Sequence, residues 1–204
     1  MADNVFGITV RWGSRLDRAL KAMEDTNVGG KRDQALAYVK EQKKKFGDGV
    51  STLCIFYNAT GENLFYVDDN SSYGKIYDSY PVIVHNGQWG AFLHIKKPGE
   101  AAGSGAFVVY SGKYNNTDYC KHLIAWDVPC DQLTGYNHAY CGIYDEDFEI
   151  NTGRGGRDVH GSRTGPTRLD PGTESARKVE PRISPLTSRA GRFGPDFIGS
   201  GSGL

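Results

Sequence analysis

Between Leu53 and Tyr144 the chain repeats one local pattern seven times: a short run of β-branched or aromatic residues, then a cluster of turn formers. The runs are residues 53–57, 63–67, 82–85, 89–97, 106–110, 122–128 and 138–144. Between them stand Asn58-Ala59-Thr60-Gly61, Asp68 to Ser72, Asn86-Gly87, Pro98-Gly99, Gly103-Ser104-Gly105 and Gly112 to Thr117. Strands this short bury an apolar face only against a second sheet, so the spacing predicts an antiparallel β-sandwich or barrel. Asn86-Gly87 is the strongest hairpin signal, because a type I′ turn needs positive φ at both central residues.

Ahead of the strands the period is helical. Leu16, Ala19, Leu20 and Met23 share one face of a helix over 14–24, with Ser14 as N-cap and Gly29-Gly30 as its end. Ala35, Leu36, Val39 and Phe46 form a stripe over 31–46, opposite Lys40, Lys43, Lys44 and Lys45, and Gly47 stops it. The expected organisation is a helical segment over 1–47 packed against a sandwich over 48–150, a mainly β fold.

A third part differs in composition. From Asn151 on, the chain carries eight Arg, one Lys and five acids, which leaves 15 bases and 19 acids in the body and splits a formal net charge of zero into +4 and −4. All 12 Tyr and all three Trp precede residue 150. Such a switch suggests a different origin for 151–204, a frameshifted, misspliced or vector-derived end. Its Arg, Gly, Pro and Ser bury too little apolar area to offset ordering entropy, so a disordered tail is expected. The balanced charge argues against a general nucleic-acid binder, which needs a sustained basic surface. No apolar run approaches the roughly 18 residues of a transmembrane span, and residues 1–10 lack signal-peptide character, so a cytoplasmic address is expected.

The four Cys, at 54, 120, 130 and 141, lack the close spacing of a zinc site, and buried reduced thiols are the expectation. His85, His94, His122, His138 and His160 are scattered, and no pair with a Cys stands out as nucleophile and base. Gly103-Ser104-Gly105 precedes a strand rather than a helix, so it is not a phosphate cradle. Asp145-Glu146-Asp147 reads as a solvated turn. No cofactor or metal is implied.

Phe56-Tyr57-Asn58-Ala59-Thr60-Gly61, the run from Asn86 to His94 (NGQWGAFLH) and that from Gly103 to Tyr110 (GSGAFVVY) resemble the plant jasmonate-induced protein family, with the likeness running from the N-terminus to about Glu149. That family is similar to actinoporin-like, nakanori-type β-sandwiches, among them a fungal relative that binds sphingomyelin–cholesterol membranes without making pores. The second similarity is carried by Ile124-Ala125-Trp126-Asp127-Val128-Pro129-Cys130-Asp131, Tyr136-Asn137 and Gly142-Ile143-Tyr144, which resemble the strand, turn and Tyr-Asn segment bordering a phosphocholine pocket. Cys130 stands where that group carries an aromatic residue, and Asp127 where it carries a small hydroxyl residue. Family members also continue past Tyr144 with further strands, so the resemblance implies that the closing strands are missing here.

Aromatic faces hold a quaternary ammonium, and Tyr and Trp suit the boundary between water and bilayer. Tyr73, Tyr77 and Tyr80 lie in a turn-rich stretch, and Tyr114 and Tyr119 flank the loop 115–117. With Trp126, Asp127, Pro129 and Tyr136 from the resemblance, Tyr114 and Tyr119 are the candidate ligand contacts, for a choline-type lipid headgroup or a glycan. The leading expectation is a non-enzymatic, stress- or defence-related binding sandwich, peripheral at membranes where it meets its ligand there. Its rivals are a structural or storage-like stress protein, favoured if the tyrosines are buried, and a hydrolase-type enzyme, favoured if His, Cys and carboxylate converge in one cleft.

Overall fold

The computed structural model describes residues 4–115, 117–131, 135–150 and 196–200, the last five by backbone alone. By its contacts the chain divides into a unit of Met1–Glu146 with Arg192–Leu204, which holds every element below, and a second unit, Asp147–Gly191, of which only 147–150 are described. The elements run β1 (Val5–Phe6), α1 (Arg15–Glu24), a 3-10 turn (Val28–Gly30), α2 (Lys31–Phe46), β2 (Ser51–Tyr57), β3 (Leu64–Tyr73), β4 (Lys75–Ile76), β5 (Ile83–Val84), β6 (Trp89–Ile95), β7 (Ser104–Lys113), β8 (Tyr119–Val128), β9 (His138–Asp145) and β10 (Asp196–Ser200). One antiparallel sheet has the order β1-β6-β2-β10, with β4 also on β6, and the other has the order β5-β3-β7-β8-β9.

The first sheet is buried on both faces, which explains why β2 (STLCIFY) and β6 (WGAFLHI) read as unbroken apolar runs. Cys54, Phe56 and Phe92 face the second sheet and pack with Leu64, Val108, Tyr110, Ile124 and Trp126. Leu53, Ile55, Ala91 and Leu93 face the other way and pack under Ala35 and Val39 of α2. The molecule is therefore a sandwich with a helix laid on one side, and the stripe of α2 is used as the sequence implies. Gly47 closes α2 at φ 82°, its N–H bonded to the Lys43 carbonyl.

Three expectations shift. Asn86-Gly87 forms a turn with Gly87 at φ 89°, but β5 before it belongs to the second sheet and β6 after it to the first, so it carries the chain between sheets rather than making a hairpin. The polar stretch 68–72 continues β3 instead of ending it, with register shifts at Tyr66/Asp68 and Ser71/Tyr73. Within the tail, Asp196–Ser200 (DFIGS) pairs with Ile55 to Ser51 of β2. The rest of the expected disordered region lies outside the described residues. At β9, register puts Cys141 and Ile143 on the face shared with Ile124 and His122. Both are nevertheless exposed, at the edge of the sheet.

Candidate functional site

The functional surface begins at the N-terminus, where α1 is held by the face that sequence periodicity would turn to solvent. Ser14 and Asp17 cap α1 reciprocally: the Asp17 N–H donates to Ser14 Oγ (3.2 Å), and the Ser14 N–H to Asp17 Oδ2 (3.0 Å). Ten residues are too few for a stable isolated helix, so tertiary anchors decide its orientation. Arg18 supplies three of them, donating to the carbonyls of Gly61 (2.8 Å) and Gly13 (2.9 Å) and pairing with Glu62 (2.5 Å). Asn86, almost wholly buried, donates to the carbonyls of Arg18 (3.0 Å) and Val10 (3.3 Å) and accepts from the Gly61 N–H (2.9 Å). The Tyr57 hydroxyl donates to the Ala22 carbonyl (2.7 Å) and the Trp89 indole to that of Thr26 (2.7 Å). Ala22 is fully buried, its small side chain allowing the close approach.

The consequence corrects the expectation for this helix. Leu16, Leu20 and Met23 face outward, Leu16 at 66% exposure, and the preceding segment adds Trp12 at 92% and Ile8 at 88%. Full burial of each such side chain is worth about 1.5–3 kcal/mol, which this arrangement forgoes. A grouped set of large exposed apolar residues marks an interaction surface rather than ordinary scatter. Arg15 donates to the Tyr114 carbonyl, so the β7–β8 loop adjoins the start of α1.

The residues singled out from sequence do not form one site. Tyr114 and Tyr119 lie at the β7–β8 turn, whereas Asp127, Pro129 and Tyr136 lie at the far end of β8. Ten-residue strands put these groups roughly 30 Å apart. Tyr114 and Tyr136 are exposed, and Tyr119 is partly exposed with Lys113 Nζ 5.8 Å from its ring centre. Pro129 packs near Gly103 and Gly135. Asp127 is exposed opposite His138; partial desolvation lifts its carboxyl above the usual range and the His138 charge opposes that. Trp126 is 4% exposed, packed on Phe92 (5.4 Å) and His94 (5.2 Å), and is core rather than surface. Tyr80 is buried, and Tyr77 packs edge-on against Phe46.

Two clusters bear on chemistry. Cys120 Sγ lies 3.3 Å from His122 Nε2, with Asp145 opposite Cys120 on β9. Burial raises the thiol, and burial together with Arg15 lowers His122 to about 4, so the pair stays neutral and is unsuited to a thiolate nucleophile. His94, fully buried, touches Ser71 Oγ through Nε2 (3.0 Å) and Ser104 Oγ through Nδ1 (2.9 Å), and Ser104 meets Thr52 (2.8 Å). Desolvation holds His94 at about 4. Cys54 is buried and Cys130 exposed, and all four thiols are free. Among the described residues, no three His, Cys, Asp or Glu side chains gather as a metal site, and no helix is long and apolar enough to cross a membrane.

Sequence reasoning found the Leu16, Leu20, Met23 stripe and assigned it to the core; it missed Trp12 and Ile8. The available signal was Trp12 between Arg11 and Gly13, outside any periodic segment.

Comparison with known proteins agrees with this architecture. Residues 10–151 match the Nakanori-like protein family. A 23 kDa jasmonate-induced protein of Hordeum vulgare is 42% identical over 132 residues, covering 64% of this chain and 61% of the barley protein. The chain thus spans about three fifths of that relative. The crystal structure of the lipid-binding protein Nakanori superposes with a TM-score of 0.62 at 24% identity, covering 69% of this chain and 74% of that one, a likeness of fold. With a match across most of its length and a shared two-sheet architecture, the chain belongs to the Nakanori-like family.

Proposed function

We propose that this chain is a non-enzymatic lipid-binding sandwich of the stress response that docks on membranes through the end carrying Trp12 and α1. The observation that carries the reading is the exposure of Leu16, Leu20 and Met23 on α1, with Trp12 and Ile8 exposed in the segment that leads into it. An amphipathic helix with its apolar face free, flanked by a Trp and by Arg11 and Arg15, suits the plane of a bilayer interface. The exposed Tyr114, whose carbonyl accepts from Arg15 at the start of α1, supplies an aromatic face of the kind that holds a choline-type headgroup, which supports the reading. Support also comes from the relatives, one described as lipid-binding and one as jasmonate-induced.

A second reading places a headgroup or glycan at Pro129 and Tyr136, favoured by the 83% exposure of Tyr136. Flotation with phosphatidylcholine–sphingomyelin vesicles separates the two. Trp12→Ala with Leu16→Ser should abolish flotation without lowering the melting temperature, and Tyr136→Ala should leave it intact. Loss in Tyr136→Ala alone would move the site to the other end of the sandwich.

A further inference from the structure

An open cleft of about 250 Å³ lies between the segment Thr9 to Arg11, the turn Gly61 to Asn63, and His85 with Asn86. Its polar groups divide into those already committed and those left over. Arg18 is committed to Gly61, Gly13 and Glu62, and the pairing neutralises the Glu62 carboxylate. Asn86 is spent on Val10, Arg18 and Gly61. His85 Nδ1 meets Asn63 Oδ1 at 3.0 Å, and Nε2 has no partner among the described residues. The same bond fixes the Asn63 amide so that its NH2 group remains unused. Arg11 is exposed and makes no ion pair or hydrogen bond among the described residues.

The leftover set is a guanidinium fork, an amide group and an imidazole nitrogen, all turned to one cleft. Such a set matches a tetrahedral oxyanion, and a guanidinium binds phosphate through two parallel N–H···O bonds. With Glu62 neutralised by Arg18, Arg11 leaves the cleft a net positive charge. Its volume admits a phosphate with a short ester arm. Arg11 immediately precedes Trp12, so a phosphate held there would sit at the level where an exposed indole meets a bilayer. We propose that this cleft binds a phosphate-ester group, with Arg11 as its principal ligand and Asn63 and His85 completing the contacts. That the ester arrives on a phospholipid rests on the membrane reading above; the cleft chemistry does not.

The test uses the full chain and two sources of the same group. Calorimetric titration with glycerol 3-phosphate reads the cleft directly, and sedimentation with phosphatidylcholine vesicles, with and without phosphatidic acid, reads the lipid source. Arg11→Gln should weaken glycerol 3-phosphate about 10-fold or more, and His85→Phe should do likewise. Melting temperatures should hold in Arg11→Gln because Arg11 makes no hydrogen bond or ion pair among the described residues. Trp12→Ala should weaken vesicle binding and leave glycerol 3-phosphate affinity unchanged. Arg11-dependent binding of glycerol 3-phosphate without vesicle binding would uphold the cleft and overturn the membrane reading. Vesicle binding that depends on Trp12 but not Arg11, with no heat from glycerol 3-phosphate, would overturn the cleft proposal and keep the membrane reading.

Discussion

At the scale of single residues, buried amides lock the loops of this sandwich to one another. Asn86 illustrates this: beside Gly87 it signals a hairpin, yet two bonds of its buried amide hold the N-terminal segment to the sandwich and the third, from the Gly61 N–H, ties in the β2–β3 turn. Nothing in local sequence reports bonds to residues 68 and 76 positions away. Asn86→Ala should cost about 2–4 kcal/mol in urea unfolding, the sum of the lost bonds and the orphaned partners. Gly61 is equally constrained, at φ 83° and with room for no Cβ, since one would lie 2.3 Å from the Arg15 carbonyl oxygen. Asn58, one of three sequons, is fully buried with its amide bonded to the Glu62 and Val84 carbonyls, so it is closed to modification in the folded chain. Tyr110 shows the opposite economy. Its ring fills the core against Phe56 (5.0 Å), but its hydroxyl is buried with no partner among the described residues. Tyr110→Phe should therefore leave stability unchanged or raise it by up to ~1 kcal/mol, and a clear loss would reveal a hidden bond.

At the scale of elements, the two helices separate what periodicity can tell from what it cannot. Both carry apolar stripes, and the bounds of both are legible from Ser14, Gly47 and the helical period. Only α2 turns its stripe inward, because β2 and β6 present Leu53, Ile55, Ala91 and Leu93 to it. The stripe of α1 points away because Arg18, Asn86 and Tyr57 grip the opposite side, and these contacts are long-range and polar. Val39→Asp in α2 should cost more than ~3 kcal/mol through an unpaired buried charge, whereas Leu16→Ser in α1 should fall within ~0.5 kcal/mol of the parent. Equal losses in paired thermal melts would mean that α1 is covered after all. The strands were located by their apolar runs, but the length of β3 was not, since its outer positions are polar and its bulges break the alternation.

At the scale of the whole molecule, the interior is built around neutral polar groups, and its stability should follow their titration. His94 titrates near 4 in the folded chain against ~6.5 when unfolded, so between those values the unfolded state holds more protons. The stability it confers is complete above about pH 6.5 and is lost as pH falls toward 4, by about 3 kcal/mol, with His122 acting in the same direction. Urea unfolding at pH 7 and pH 4.5 should show the fall, reduced in His94→Gln; a flat profile would contradict it. The proposed orientation on a bilayer puts Trp12 and the outward face of α1 in the interface. Trp89 and Trp126 are buried, so Trp12 is the indole that solvent and lipid can reach. The most direct measurement is tryptophan fluorescence during titration with phosphatidylcholine–sphingomyelin vesicles carrying brominated acyl chains. A blue shift with quenching that disappears in Trp12→Phe is the predicted result; bound protein whose emission is neither shifted nor quenched would show that this end of the sandwich faces away from the membrane.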